Sequence, residues 1–449
     1  MAVSPARAVA FEILLRVERQ DSYATELLHS APAAELSSRD HGLATELVMG
    51  VLRWRSLLDQ HLAAASSQKL DRLDDEVLTT LRLAVYQLKF LTRVPARAAI
   101  FESVELVKAA RKRSAAPFVN AVLRKIAAAT STDVFGEIDQ SADAVTLSRN
   151  AAHPSWLVSR WMEKYGIAAT RQICMHDQMT PATAIHVDDR EQSHQDQIDA
   201  ELTAEGVEFS PGRLLASARY VSGDLSGTRA YQEGRIVIQD EASQLVALLV
   251  GHGETMLDCC AAPGNKTALI ARHNPHAKVF AIDVHPHRAR LLQGRIRLPN
   301  VYVIAADARY LPFSTRFDRI LADVPCSGTG TLARNPEIKW RLKPEDLRDL
   351  QARQIAILKS ALSQLTPGGR LVYSTCSLEP EENEAVVAAA LENTAEVSLV
   401  AFKPELERLQ QSGKMCWQDV SALLSGPYLR TIPGVHPCDG FFAALMERK

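Results

Sequence analysis

Cysteine is scarce in this chain. Its seven copies in 449 residues (Cys174, Cys259, Cys260, Cys326, Cys376, Cys416 and Cys438) form no C-x-x-C pair. An odd count without such pairs argues against a disulfide scaffold or a zinc site, so no metal is expected and the thiols are read as free in a reducing cytoplasm. Net charge is nearly absent: 51 Lys and Arg against 53 Asp and Glu leave −2. Global charge therefore favours no partner, and any basic surface must be local. No apolar run approaches the ~18 residues of a membrane span. Arg7, Glu12 and Arg16 break up the first apolar stretch, which makes it a poor secretory signal. Internal repeats and low-complexity tracts are also missing. With 47% hydrophobic and 23% charged residues the composition is globular. A length of 449 residues suggests two or three domains.

The pattern along the chain divides in three. Residues 1 to about 130 are helical throughout, with Leu78, Leu81, Val85 and Leu88 forming one apolar stripe. Breaks are expected near Ser37-Ser38, Ser66-Ser67 and Pro95, giving a bundle of five to seven helices. From Arg93 to Lys125 eight basic residues (Arg93, Arg97, Lys108, Arg111, Lys112, Arg113, Arg124, Lys125) face only Glu102 and Glu105. Such a cluster can neutralise phosphates, although most charge runs are simply solvated helix faces. Residues 130–150 read as a polar linker. An amphipathic stretch follows His153-Pro154 and ends at Tyr165-Gly166, and short strand-like runs occur at 183–187 and 219–221. From about 236 strand, turn and helix alternate. Strands are expected at 236–239, 255–258, 278–283, 302–305, 317–323 and 370–374, and the tail 440–446 reads as a last strand. This alternation predicts a parallel sheet covered by helices, with ligands at the carboxyl edge of its strands.

Strand 255–258 runs into Cys259-Cys260-Ala261-Ala262-Pro263-Gly264-Asn265-Lys266. Small residues there let a ligand approach the backbone, but the spacing fits neither a dinucleotide fingerprint nor a P-loop. Asp258, Asp283, Asp307 and Asp323 end successive strands or begin the turns after them. Asp283 stands where a carboxylate can accept ribose hydroxyls, and Asp307 where it can accept from an adenine amino group. Any one such Asp could be a helix cap. Four in register would repel a phosphate ligand and suit a cationic sulfonium nucleoside, S-adenosylmethionine. Two more loops leave the same edge: Asp323-Val324-Pro325-Cys326-Ser327-Gly328 and Ser374-Thr375-Cys376-Ser377. Either thiol could be a buried filler, or the two a redox pair. Two thiols beside a methyl donor instead match methylation at carbon 5 of cytosine. There a thiolate adds to carbon 6, making carbon 5 nucleophilic, and Asp323 can share a proton with N3. The base must be unstacked to present carbon 6. Spacing alone does not choose between Cys326 and Cys376 as the nucleophile.

At these residues the chain resembles the RNA cytosine-C5 methyltransferases. D-C-C-A-A-P-G-N-K-T, D-V-P-C-S-G-T-G and S-T-C-S-L-E-P-E-E-N look like three motifs of that family, and R-N-P-E-I-K-W (Arg334–Trp340) and P-G-V-H-P-C-D-G-F-F also fit. The helical part resembles NusB, an RNA-binding antitermination factor. The whole chain is similar to the bacterial 16S rRNA cytosine-C5 methyltransferases of the RsmB (Sun/Fmu) type.

That resemblance implies an all-α NusB-like domain at 1–135, a small α+β RNA-contacting domain at 150–235 and an α/β Rossmann-like class I methyltransferase domain at 236–449. It implies Cys376 as nucleophile and Cys326 as the thiol that assists release. Cys260, Ala261, Ala262, Pro263, Gly264, Asn265, Lys266, Asp283, Asp307 and Asp323 are the implied S-adenosylmethionine contacts. It also implies 16S ribosomal RNA as the partner of a cytoplasmic monomer. The family usually has Gly where this chain has Asn265. Asn tolerates positive φ, so the loop is expected to keep its shape. Rival readings are a non-catalytic RNA-binding factor, the same chemistry on transfer RNA or large-subunit RNA, and an amino-group methyltransferase. The last carries N-P-P-Y where this chain has D-V-P-C.

Overall fold

The computed structural model describes all residues except 1, 2, 21, 130–137, 139, 141, 188–191, 224 and 393. The chain forms two compact units. One comprises Met1–Thr180 with Leu332–Arg341, the other Pro181–Thr331 with Leu342–Lys449.

In the first unit, seven α-helices are described up to Ala128: Pro5–Gln20, Ala24–Leu28, Ala31–Ala34, Ser38–Ala65, Asp75–Phe90, Ala96–Ala109 and Ala116–Ala128. The expected breaks mark real ends. The Ser37 side chain accepts from the Asp40 N–H and caps the long helix, Ser66 closes it, and Pro95 precedes the next but one. Leu81 and Val85 of the predicted stripe are fully buried, each contributing roughly 2 kcal/mol, while Leu78 and Leu88 pack at the margin. Helices Ser38–Ala65 and Asp75–Phe90 cross closely at Gly50, where an added Cβ would lie 2.0 Å from the Tyr86 ring. Much of the linker expected at 130–150 lies outside the described residues. Helix Ser155–Gln178 is kinked at Gly166 (φ 76°), where the sequence places the end of the amphipathic stretch.

Leu332–Arg341 joins this helical unit although it follows the Cys326 loop in sequence. Glu337 Oε1 accepts from the Ala24 N–H (2.8 Å), and Lys339 Nζ donates to the Arg53 carbonyl (2.9 Å). Trp340 Nε1 donates to the Leu52 carbonyl (2.6 Å) and Arg341 Nη2 to that of Ser22 (2.7 Å). Lys339 is 1% exposed, and burial pushes its ammonium down to about 7. The first unit therefore extends past residue 135 and includes a piece of the interval 236–449, because the R-N-P-E-I-K-W side chains find their partners there.

The second unit holds two sheets. The smaller consists of β1 (Thr183–Val187), β2 (Glu208–Pro211), β3 (Ala218–Ser222) and β4 (Ile236–Ile238) in the order β2-β3-β1-β4, all antiparallel. The strand expected at 236–239 as part of the large sheet is thus corrected. It pairs with β1, Ile185 opposite Ile238. The larger sheet contains β5 (Thr255–Asp258), β6 (Lys278–Asp283), β7 (Val301–Ala305), β8 (Phe317–Asp323), β9 (Leu365–Thr375), β10 (Val397–Val400), β11 (Leu424–Ser425), β12 (Tyr428–Thr431) and β13 (Phe441–Arg448). Its order is β11-β12-β13-β9-β8-β5-β6-β7, with β10 pairing β13. The pairs from β9 to β7 are parallel, as expected. The tail strand β13 is antiparallel and interior, between β9 and β12, so the sheet is mixed rather than purely parallel.

Candidate functional site

The order β9-β8-β5-β6 brings the loops after these four strands to one edge. After β5, Gly264 has φ 113°, a backbone state other residues rarely adopt, and an added Cβ would meet Leu292 Cδ1 at 2.5 Å. The positive φ falls on Gly264 and not on Asn265. Asn265 starts the helix Asn265–His273 and donates through Nδ2 to the Ile238 carbonyl at 3.0 Å. The tolerance for positive φ expected of Asn265 is therefore not used.

The four aspartates do not form a bare acidic edge. Asp258 is buried and accepts from Thr267 Oγ1 (2.7 Å), and burial pushes its carboxyl up to about 6. Both oxygens of Asp307 are taken by the Arg309 guanidinium (2.6–3.0 Å), which holds that carboxyl below its ordinary range. Asp323 Oδ2 pairs with Lys266 Nζ (2.8 Å) and Oδ1 accepts from Ser374 Oγ (2.7 Å). Asp283 accepts from the His285 N–H (2.8 Å) through one oxygen, and its other oxygen has no protein partner among the described residues. Two of the four charges are thus balanced by cations, which corrects the expectation that the edge as a whole repels phosphate. Burial alone would lower the Lys266 ammonium. The charge and hydrogen bond of Asp323, and the nearby Cys376, outweigh it and raise the ammonium above its ordinary value.

The two thiols meet. Asp323 lies opposite Ser374 in the parallel β8–β9 ladder, and the Val324 N–H continues it to the Ser374 carbonyl (3.0 Å). Beyond the ladder, Cys326 Sγ and Cys376 Sγ are 3.3 Å apart, too far for a disulfide, and both are free and half-buried. The Gly330 N–H donates to the Cys376 carbonyl (2.9 Å) and the Gly440 N–H to the Gly330 carbonyl (2.8 Å), tying both loops to the C-terminal segment. The surroundings of the two sulfurs differ. The hydrogen bond to Cys376, burial and the charge of Glu382 push the Cys326 thiol well up, whereas Cys376 interacts with the Lys266 ammonium.

Glu382, which sequence reasoning assigned no role, organises these loops. Fully buried, it accepts from the Ser327 N–H (2.8 Å), the Ser327 hydroxyl, Ser377 Oγ (2.5 Å) and Gln354 Nε2 (2.9 Å). Asn383 accepts from Thr375 Oγ1 (2.6 Å) and donates to the Ser377 carbonyl (2.9 Å). The acid-rich run directly after the T-C-S loop was the available signal. Among the described residues no group of three or more His, Cys, Asp or Glu could hold a metal, and no helix is long and apolar enough to cross a membrane.

In the helical unit the basic run is partly neutralised. Lys108 pairs with Glu105 (2.8 Å) and Lys112 with Asp74 (2.9 Å). Arg93, Arg97, Arg111, Arg113 and Arg124 are exposed and form no ion pair among the described residues.

Comparison with known proteins agrees with this architecture. Residues 245–447 match the family model 16S rRNA methyltransferase RsmB/F, residues 4–128 the NusB family, and residues 153–224 the RsmF/B-like ferredoxin-like domain. The chain is 34% identical over 461 aligned positions to the probable ribosomal RNA small subunit methyltransferase B of Bacillus subtilis, covering all of both chains. It shares its fold with the crystal structure of PH0851 over the full length of both, with TM-score 0.81 and 24% identity. A methyltransferase homolog from Pyrococcus horikoshii matches 69% of this chain and all of its own, with TM-score 0.56 and 26% identity. With its helical NusB domain, small sheet domain and mixed-sheet domain each accounted for, the chain belongs to the RsmB/F methyltransferase family.

Proposed function

We propose that this protein forms 5-methylcytosine in 16S ribosomal RNA, using S-adenosylmethionine and a transient bond between Cys376 and carbon 6 of the base. The observation that carries the reading is the 3.3 Å approach of the two sulfurs on neighbouring strands, beside the β5 loop.

The residues present suit the cofactor. Asp283 keeps one carboxylate oxygen without a protein partner among the described residues, as a ribose diol requires. Residues Cys260 to Lys266, with Asp283, Asp307 and Asp323, would hold it. When bound, S-adenosylmethionine supplies an electrophilic methyl group for carbon 5. Cys376 is assigned as the nucleophile from the resemblance of its T-C-S loop to the family motif, while the hydrogen bond to Cys376, burial and the charge of Glu382 keep the proton on Cys326. Sulfur addition to carbon 6 pushes electron density into the ring, and Asp323, fixed by Lys266 and Ser374, shares a proton with N3. In the elimination a water molecule takes the carbon 5 proton, the electrons of that bond restore the carbon 5–carbon 6 double bond, and the carbon–sulfur pair returns to Cys376, with Cys326 assisting release.

Cys376→Ala is expected to abolish turnover, and Cys326→Ala to accumulate a protein–RNA adduct that survives denaturing electrophoresis. An adduct in Cys376→Ala would reverse the roles. Bisulfite sequencing of ribosomal and transfer RNA from a strain lacking the gene is expected to show one methylcytosine lost from 16S RNA. A loss elsewhere would move the substrate, and no loss would overturn the reading.

A further inference from the structure

We propose that the helix Pro286–Arg295 and the residues just after it form a docking surface for the sugar–phosphate backbone of the substrate RNA, an inference that rests on the function proposed above. Between Val284 and Ala306 the chain has no acidic residue but carries Arg288, Arg290, Arg295 and Arg297, a local charge of +4 on a chain of −2. All four arginines are exposed and have no ion pair among the described residues. In the same unit eight other arginines are held by carboxylates, for example Arg219 by Asp199 and Arg430 by Glu384, both at 2.8 Å. The helix Lys403–Gln411 of this unit carries its own counter-charge, Lys403 pairing with Glu407 and Arg408 with Glu405. The helix Pro286–Arg295 carries no acid at all, so its positive potential is available to an external polyanion.

The position fits the reaction. The helix begins three residues after Asp283, whose carboxylate accepts the His285 N–H, so its first turn lies at the edge that carries the thiol loops. From β8 to β6 is two strand steps, roughly 10 Å. A cytidine whose base enters the Cys326–Cys376 pocket therefore has flanking phosphates within reach of these guanidiniums. The inner face is fixed: Ala289 and Leu292 are buried, and Leu292 and Ile296 close over Gly264. Three of the charges, Arg288, Arg290 and Arg295, are carried on this anchored helix, and Arg297 lies two residues past its end.

The test uses the full chain and in vitro-transcribed small-subunit ribosomal RNA. In the variant R288Q/R290Q/R295Q/R297Q, the plot of log affinity against log salt between about 50 and about 200 mM is expected to be shallower by about 3, with about 100-fold weaker binding near 0.1 M. The corresponding four-lysine variant is expected to keep the wild-type slope, and S-adenosylmethionine binding by calorimetry is expected to be unchanged in both. KM for RNA rises in the glutamine variant while kcat at saturating RNA holds. If the wild type methylates RNA and the glutamine variant keeps its slope, this surface is overturned and the function stands. If the wild type neither binds nor methylates ribosomal RNA, both fall.

Discussion

Ser327 and Ser377, each the residue directly after a site cysteine, donate to the same carboxylate, that of Glu382. One buried anion therefore sets the separation of two loops that are far apart in sequence. Their cysteines sit at the ends of parallel neighbours β8 and β9, so the sheet places the sulfurs and the carboxylate holds them there.

Glu382→Ala leaves the buried Ser327 N–H without its acceptor and one of the two Gln354 Nε2 hydrogens unpaired, the other keeping the Pro325 carbonyl. At about 1–3 kcal/mol for each unsatisfied donor, a loss of roughly 3 kcal/mol is expected. Methyl transfer should fall about 100-fold, since small displacements of reacting atoms are that costly. Glu382→Gln keeps an acceptor oxygen and should recover most of the stability. Melting curves and single-turnover rates check this, and unchanged turnover in the alanine variant would show that Glu382 does not position the thiols.

Gly330→Ala tests how tightly the Cys326 loop is seated. Its Cβ would lie 2.2 Å from the Gly440 carbonyl oxygen and 2.8 Å from the Gly440 Cα, both backbone atoms that no rotamer change can move. The strand-like contacts through Gly330 to Cys376 and Gly440 must separate, with an expected loss of about 2–3 kcal/mol and of activity. Gly294, with nothing within 4 Å of an added Cβ, is the control. Its alanine variant should be neutral or more stable by up to about 1 kcal/mol. Equal melting temperatures for the two variants would contradict the close approach.

Lys339 should make stability depend on pH. Its pKa is about 7 in the folded chain, against about 10.4 when unfolded. Below pH 7 both states are charged, and the folded state bears the cost of the buried ammonium. From about pH 7 to about 10 the unfolded chain holds the extra proton, so stability rises with pH, by a few kcal/mol at ~1.4 per unit. Lys339→Met keeps an apolar stem without the charge. It should be the more stable protein at pH 6 and show a flatter rise to pH 9 in thermal denaturation. Parallel curves for the two proteins would exclude this role.

The site strands were legible because each ends in a punctuated loop. β5, β6 and β8 have the predicted bounds, and the cysteines fall at the ends of adjacent strands. The fate of Ile236-Val237-Ile238 was not legible, because three β-formers specify a strand but not its partner. The acids could be placed at strand ends but not their counter-ions. Lys266 reaches Asp323 only once β5 and β8 are side by side, while the Asp307–Arg309 pair, two residues apart, could have been read locally. The role of Glu382 depends on Ser327, which is remote in sequence. R-N-P-E-I-K-W looked like part of the domain that encodes it, since nothing in its composition says that its side chains seek carbonyls of the helical bundle.

That decapeptide, Leu332–Arg341, means that neither compact unit is an unbroken stretch of polypeptide. A cut near Thr180 would leave an amino-terminal fragment missing its last piece, and a carboxyl-terminal fragment exposing Trp340 and a lysine that belongs in a dry interior. On the ribosome the amino-terminal unit therefore gains its last piece only once residue 341 has emerged, when both loops of the β5–β8 edge have already been synthesised.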